Sequence, residues 1–210
     1  MDCDTAVLRA GVIGRSVRTR IRADSITRYR HLMADQDRVR WDHRYADREP
    51  GPTGLPTVFA EFENAFPVTG FALDLACGQG TASVWLALRG LEVLGVDVSP
   101  VAIARARELA ARNGVEDRAR FEVVDLDHGL PPGPPADVIL CHKFRDRRLD
   151  TAILDRLAPG GLLAISALSE VGARPGPFRV PAGELTRVFA ELDLIGASEA
   201  DGEAWLIGKR

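Results

Sequence analysis

From Gly70 onward the chain alternates short apolar runs with amphipathic stretches. Apolar runs such as Phe71-Ala-Leu-Asp-Leu75 and Val138-Ile-Leu-Cys141 are too short for buried helices and fit strands covered on both faces. The intervening segments space their apolar residues at three and four, as a helix lying on a sheet does. The pattern predicts strands over 71–76, 91–96, 120–124, 137–141 and 161–167, and helices over 81–89, 99–113, 147–157 and 182–192. Strands alternating with helices imply βαβ units and a parallel α/β sheet, doubly wound, with helices on both faces. The end departs from this rhythm. Leu194 to Ala200 and Ala204 to Gly208 flank Asp201-Gly202-Glu203, a turn suited to a hairpin, so the last strand is expected to run antiparallel.

Upstream of Gly70 the pattern weakens. Glu49-Pro-Gly-Pro-Thr-Gly54 cannot hold regular pairing and reads as a loop, followed by a short helix over 56–66. Pro131-Pro-Gly-Pro-Pro135 reads as a stiff connector in place of a crossover helix. Residues 1–40 are rich in arginine and poor in large apolar residues, and read as an appended basic, solvated extension to a domain over 41–210. A start at Met33 is the matching expectation, under which residues 1–32 would lie outside the natural chain and their deletion would leave stability and activity unchanged.

Composition narrows the classes. With 46% hydrophobic and 27% charged residues, 210 residues suffice for one ordinary core. A net charge of -3 argues against whole-chain attraction to nucleic acid and favours a small acceptor molecule. Cys3, Cys77 and Cys141 form neither a disulfide framework nor a metal knuckle, which points to a reducing, cytoplasmic setting. His31, His43, His128 and His142 lack a spacing that brings two rings onto one metal, so no metal is expected. No stretch approaches the length needed to cross a bilayer. A monomer or a homodimer is equally compatible with these features.

The chemistry concentrates in Asp74-Leu-Ala-Cys-Gly-Gln-Gly80, a strand end leading through a glycine turn into a helix. Gly78 and Gly80 can take positive φ and let the backbone approach a ligand closely. Such a loop alone is shared with dinucleotide-binding dehydrogenases; the acids separate the cases. Asp74 would place negative charge where a pyrophosphate should lie, and suits a cationic amine instead. Asp97, followed by Val98, ends the next strand, where a carboxylate can accept hydrogen bonds from ribose hydroxyls. Asp125 ends the third and could meet an adenine amino group while Leu126 covers the ring. The plainer reading is that each aspartate caps the helix or turn that follows it.

These segments resemble the class I S-adenosylmethionine-dependent methyltransferases, from about Trp41 to the C-terminus. Asp74 to Gly80 is similar to the first motif of that family, Gly-Val-Asp97-Val-Ser to the second and Val-Val-Asp125-Leu to the third. Leu157-Ala-Pro-Gly-Gly-Leu-Leu163 is similar to the turn entering the fifth strand. The resemblance implies a Rossmann-like seven-stranded sheet of order 3-2-1-4-5-7-6, with S-adenosyl-L-methionine held by Asp74, Ala76, Gly78, Gly80, Asp97, Val98, Asp125, Leu126 and Cys141. Ala76 stands where the first glycine of the motif is usual; ordinary strand dihedrals are expected there, with a tighter pocket. Trp41-Asp-x-Arg-Tyr45 and Gly176 to Leu185 resemble the tellurite-resistance and thiopurine branch, whose members methylate small, soft nucleophiles. That likeness implies that Trp41 and Tyr45 close over the methionine part of the cofactor, although an aromatic staple fixing a helix explains the pair equally well.

His142, just past the fourth strand, is the candidate catalytic base for an acceptor that must lose a proton; a ring hydrogen-bonded at the pocket rim is the plainer alternative. Arg145, Arg147 and Arg148 read as a solvated helix start and Glu184 as a helix cap. Two rivals remain. An NAD(P)-dependent oxidoreductase would share the loop and Asp97, but no Tyr-x-x-x-Lys pair accompanies them. An RNA methyltransferase would use the basic N-terminal arm.

Overall fold

A computed structural model describes residues 38–47, 49–176 and 178–210. Most of the arginine-rich extension, with Met33, lies outside the described residues. Helix α1 spans 38–46 and so runs across the expected domain boundary between residues 40 and 41. A loop and a 3-10 helix over Thr57–Ala65 lead into the sheet.

The strands are β1 (Phe71–Leu75), β2 (Glu92–Asp97), β3 (Ala119–Val123), β4 (Ala136–Cys141), β5 (Leu157–Ser169), β6 (Arg179–Val180), β7 (Asp193–Ala200) and β8 (Glu203–Lys209). They form one sheet of order β3-β2-β1-β4-β5-β8-β7, with the two-residue β6 paired to β5 beyond the end of β4. β1 to β5 run parallel, and β8 runs antiparallel to both β5 and β7. With β6 set aside this is the implied order: β7 and β8 are its sixth and seventh strands.

Each face of the sheet carries its own apolar layer. On one side Val84, Leu86, Ile103, Ala106 and Phe121 pack beneath helices α2 (Thr81–Arg89) and α3 (Pro100–Arg112). On the other, Leu73, Leu75, Ile139, Ile153, Leu185 and Phe189 join β1 and β4 to α4 (Asp150–Arg156) and α5 (Glu184–Val188). The central β1, with four of its five residues buried, therefore reads as an apolar run rather than an alternation.

Three elements differ from the sequence pattern. The helix expected over 147–157 begins as a 3-10 turn at Arg147–Leu149, capped by Asp146, and becomes α-helical only at Asp150. The helix expected over 182–192 shrinks to Glu184–Val188, because Gly183 enters it in the left-handed region and Phe189, wholly buried, leaves helical dihedrals at its end. β5 starts at Leu157, four residues before the expected strand, and its register against β4 slips between Leu157 and Leu162, where Pro159-Gly160-Gly161 bulges.

Candidate functional site

Parallel strands end on one rim, and helices start there, so strand tips and helix N-termini converge on one crevice. Here the tips of β1, β2, β3 and β4, together with α1, enclose a cavity of about 560 Å³. Asp74, Ala76, Gly78, Asp97, Val98, Asp125, Leu126, Trp41, Tyr45 and His142 all line it. Gly80 and Cys141 do not. Gly80 is the left-handed residue opening α2, and a Cβ there would lie 2.7 Å from the Ala106 Cβ, so its place is in helix packing. Cys141 is buried in the α4 and α5 layer, its Sγ donating to the Phe144 carbonyl, and burial pushes its thiol up to about 12.

The loop after β1 is hooked to β2 by the Cys77 N–H, which donates to the Val96 carbonyl at 2.9 Å. Ala76 takes φ +53, which corrects the expectation of ordinary strand dihedrals: the chain leaves β1 through a left-handed residue, and alanine bears strain where glycine would not. Gly78 follows at φ +54, and a Cβ on it would come within 2.9 Å of the Tyr45 Oη. The absent side chain lets α1 lie close over the loop.

The acids are held differently. Asp97 accepts the Gly78 N–H on one oxygen and the Ser99 N–H on the other, both at 2.9 Å. With the Val98 N–H also acting on this carboxylate, part of its acceptor capacity remains for a ligand. Asp74, 3% exposed, accepts from the Ser83 hydroxyl on α2 at 2.5 Å. Burial pushes the Asp74 carboxyl up to about 7; the Ser83 hydrogen bond opposes this and the neighbouring Asp97 charge adds to it. Burial likewise raises Asp97, against its hydrogen bonds from Ser99 and Gly78. Asp125 accepts from the Asp127 N–H, capping the 3-10 turn Leu126–His128, and its carboxylate lies 3.3 Å from the His128 Nδ1. The capping reading therefore holds for Asp125, and in part for Asp97, while both also face the cavity.

α1 is seated by Asp42, which accepts from the Ser99 hydroxyl at 2.5 Å; Ser99 in turn caps α3 by accepting the Ala102 N–H. Trp41 and Tyr45 stack with centroids 5.7 Å apart. Arg44 lies over the Trp41 ring, and Arg40 reaches both Trp41 and Phe178, which binds α1 to the segment before β6.

His142, Lys143 and Phe144 form the wall beyond β4. His142 Nδ1 meets the Ser166 Oγ at 2.8 Å. Burial, and then the Lys143 charge, lower its pKa to about 4, so the ring is neutral at pH 7. Of the arginines that follow, Arg147 and Arg148 keep the expected exposed side chains and Arg145 departs from the solvated run. Arg145, 5% exposed at its side chain, is paired with Asp150 and Glu184, while Arg147 joins Glu184 and Arg148 joins Asp127 and Asp146. Glu184 opens α5 in its first turn, where an acid complements the helix dipole, and it is also the buried acid that Arg145 and Arg147 share.

Sequence reasoning passed over several lining residues: Gly51 and Pro52 of the proline and glycine loop, Pro56 at the start of the short helix after it, and Cys77, Gln79, Thr81 and Lys143. The loop carried a signal in its composition. The seating of Asp42 on Ser99, 57 positions apart, carried none.

Residues 72–161 match the family described as "Methyltransferase domain". Ribosomal RNA small subunit methyltransferase C of Alcanivorax borkumensis is 36% identical over 112 residues, which is 49% of this chain and 33% of that protein. The chain spans about a third of the length of the first curated relatives it matches. Among solved structures, one described as "Conversion of a Disulfide Bond into a Thioacetal Group during Echinomycin Biosynthesis" superposes with a TM-score of 0.60 at 26% identity, covering 82% of this chain and 92% of that one. TehB from Haemophilus influenzae superposes with a TM-score of 0.59 at 20% identity, covering 67% and 57%. The domain match and the strand order agree: over residues 72–161 the chain is a methyltransferase domain.

Proposed function

We propose that the protein transfers the methyl group of S-adenosylmethionine to a small, soft nucleophile, a thiol foremost. The observation that carries this is the single cavity in which Asp74, Asp97 and Asp125 sit beneath Trp41 and Tyr45. The donor set suits a cationic nucleoside: Asp97 would accept from the ribose hydroxyls, Asp125 from the adenine amino group with Leu126 over the ring, and Asp74 would face the ammonium end. Gly78 lines the cavity with bare backbone, and a Cβ there would meet the Tyr45 hydroxyl that closes over it. A pyrophosphate would instead meet the Asp74 carboxylate at the loop, which disfavours a dinucleotide.

When bound, the donor brings an activated methyl group whose carbon–sulfur bond breaks onto sulfur as the acceptor's electron pair forms the new bond. The protein's part is to align the acceptor and exclude water. α1 performs the second task by lying across the cavity, and Asp42 and Tyr45 hold it there. A cavity of about 560 Å³ that must also hold the donor leaves room for a small acceptor. Description of a structural relative by conversion of a disulfide into a thioacetal supports sulfur as the accepting atom. The likeness to a ribosomal RNA methyltransferase makes RNA the rival acceptor. No helix among the described residues is long and apolar enough to cross a membrane.

The test is transfer of radiolabelled methyl from S-adenosylmethionine to a panel of aryl and alkyl thiols, with ribosomal RNA and ribosomal proteins beside them. Label on the thiols alone is the expected result. Label on the macromolecules alone overturns the small-acceptor reading.

A further inference from the structure

We propose that Ser166 is a positioning residue that locks His142 as the neutral tautomer with its proton on Nε2, so that His142 meets the methyl acceptor as a hydrogen-bond donor and not as a general base. The second half of this rests on the methyl-transfer reading above; the first half does not.

Ser166 lies in β5 and is wholly buried. A hydroxyl has one proton to donate and two lone pairs to offer. One lone pair takes the Lys143 N–H at 3.1 Å. Among the described residues, the remaining hydrogen-bond partner of Oγ is the His142 Nδ1, at 2.8 Å. A buried O–H left undonated has no water to turn to and carries its full desolvation penalty. The Ser166 proton therefore goes to Nδ1, which must offer its lone pair, and the imidazole carries its own proton on Nε2. The opposite tautomer would aim two N–H groups at Oγ and strand the serine proton.

Of the charged groups beside the ring, Lys143 favours the neutral form and Glu203 opposes it. Glu203 places Oε1 3.9 Å from Nδ1, beyond hydrogen-bond reach, and that oxygen is buried with no hydrogen-bond partner among the described residues. Its other oxygen faces the Lys143 Nζ at 3.3 Å, so the lysine answers the carboxylate and no imidazolium is needed to do so. Lys143 reaches this place through a left-handed turn, φ +56, which carries the chain sharply away from β4. Burial and the lysine charge keep the ring neutral. With Nδ1 turned into β5 and the side chain 33% exposed along the cavity wall, Nε2–H belongs to the ring edge turned away from Ser166. An acceptor that presents an anionic or lone-pair atom there, such as a thiolate, is held without losing a proton to the enzyme.

The direct experiment is a long-range proton–nitrogen correlation spectrum of the full chain labelled at histidine nitrogen, with His142 identified by the signal lost in His142→Gln. Expected are an unprotonated Nδ1 and a protonated Nε2 at pH 7, unchanged down to pH 5, with mixed tautomers in Ser166→Ala. A protonated Nδ1, or an imidazolium already present at pH 6, overturns the proposal, and the wild-type spectrum decides this even if Ser166→Ala does not fold. In methyl transfer to an aryl thiol, His142→Gln, which retains a donor, should keep activity within ~3-fold while His142→Ala loses more; equal losses of ~100-fold or greater, as removal of a base gives, would overturn the donor role. Absence of transfer in every protein, with the wild-type spectrum as expected, would count against the methyl-transfer reading and leave the tautomer standing.

Discussion

The two walls of the cavity are built on different principles. On the wall formed by β1, β2 and β3, acids are fixed by groups close in the chain or in the loop and helix that follow β1: Asp97 by Ser99 and Gly78, Asp125 by Asp127, Asp74 by Ser83. On the wall formed by β4 and α1, side chains are fixed by distant partners or by each other: His142 by Ser166, Trp41 by Tyr45 and Arg44. The acids of the first wall are already held by hydrogen bonds without a ligand. The second wall is joined to the first where Asp42 meets Ser99 and Tyr45 lies beside Gly78.

Breaking the donor wall should have the largest effect. Asp97→Ala strands two backbone N–H groups and removes the ribose acceptor, and two such losses at about 1 to 3 kcal/mol each should weaken S-adenosylmethionine binding ~100-fold or more in a calorimetric titration. Gly78→Ala ranks next. Its left-handed φ and the Tyr45 hydroxyl 2.9 Å from the new Cβ oppose the methyl group, and strain of about 1 to 2 kcal/mol should weaken binding ~10-fold.

Asp74 offers a pH test of the same wall. Its folded pKa of about 7 stands above the ordinary carboxylate value, so between about pH 4 and 7 the folded protein holds a proton that the unfolded chain has released. Stability of the ligand-free protein should therefore fall as pH rises through that window, and Asp74→Asn should remove this part of the slope in thermal melts. Affinity for the cationic donor should move the other way in the wild type, rising as the carboxylate ionises near pH 7, and this rise should vanish in Asp74→Asn.

The smallest effect is expected outside the cavity. Arg148 pairs with Asp127 and Asp146 but is half-exposed, so Arg148→Ala should change unfolding free energy by less than about 1 kcal/mol and leave donor affinity unaltered. A large loss of affinity there would show that the two walls are coupled through the segment after β4.

This division also explains what the sequence disclosed. β1, β2 and β4 stood out because strands buried on both faces are mostly apolar, and Asp74 and Asp97 stood out because each interrupts such a run near its end. Asp125, closing the half-exposed β3, stood out in the same way. The position of Ala76 was read, but its left-handed conformation was not, since φ there is imposed by the turn and not by the side chain. The clustering of Arg145 and Arg147 with Glu184, across 39 and 37 positions, left no local trace, so the burial of Arg145 was not legible. The truncation of α5 has a similar source: the helical spacing continues past Val188, but tertiary burial of Phe189 ends the helix first.

The central claim is that the strand-tip acids hold a cationic nucleoside rather than a dinucleotide. Titration calorimetry of the full chain with S-adenosylmethionine and, separately, with NADH and NADPH tests it most directly. Saturable one-to-one binding of S-adenosylmethionine, lost in Asp97→Ala, with no heat from either nicotinamide cofactor, is the predicted result; binding of NADH or NADPH with none of the sulfonium donor would contradict it.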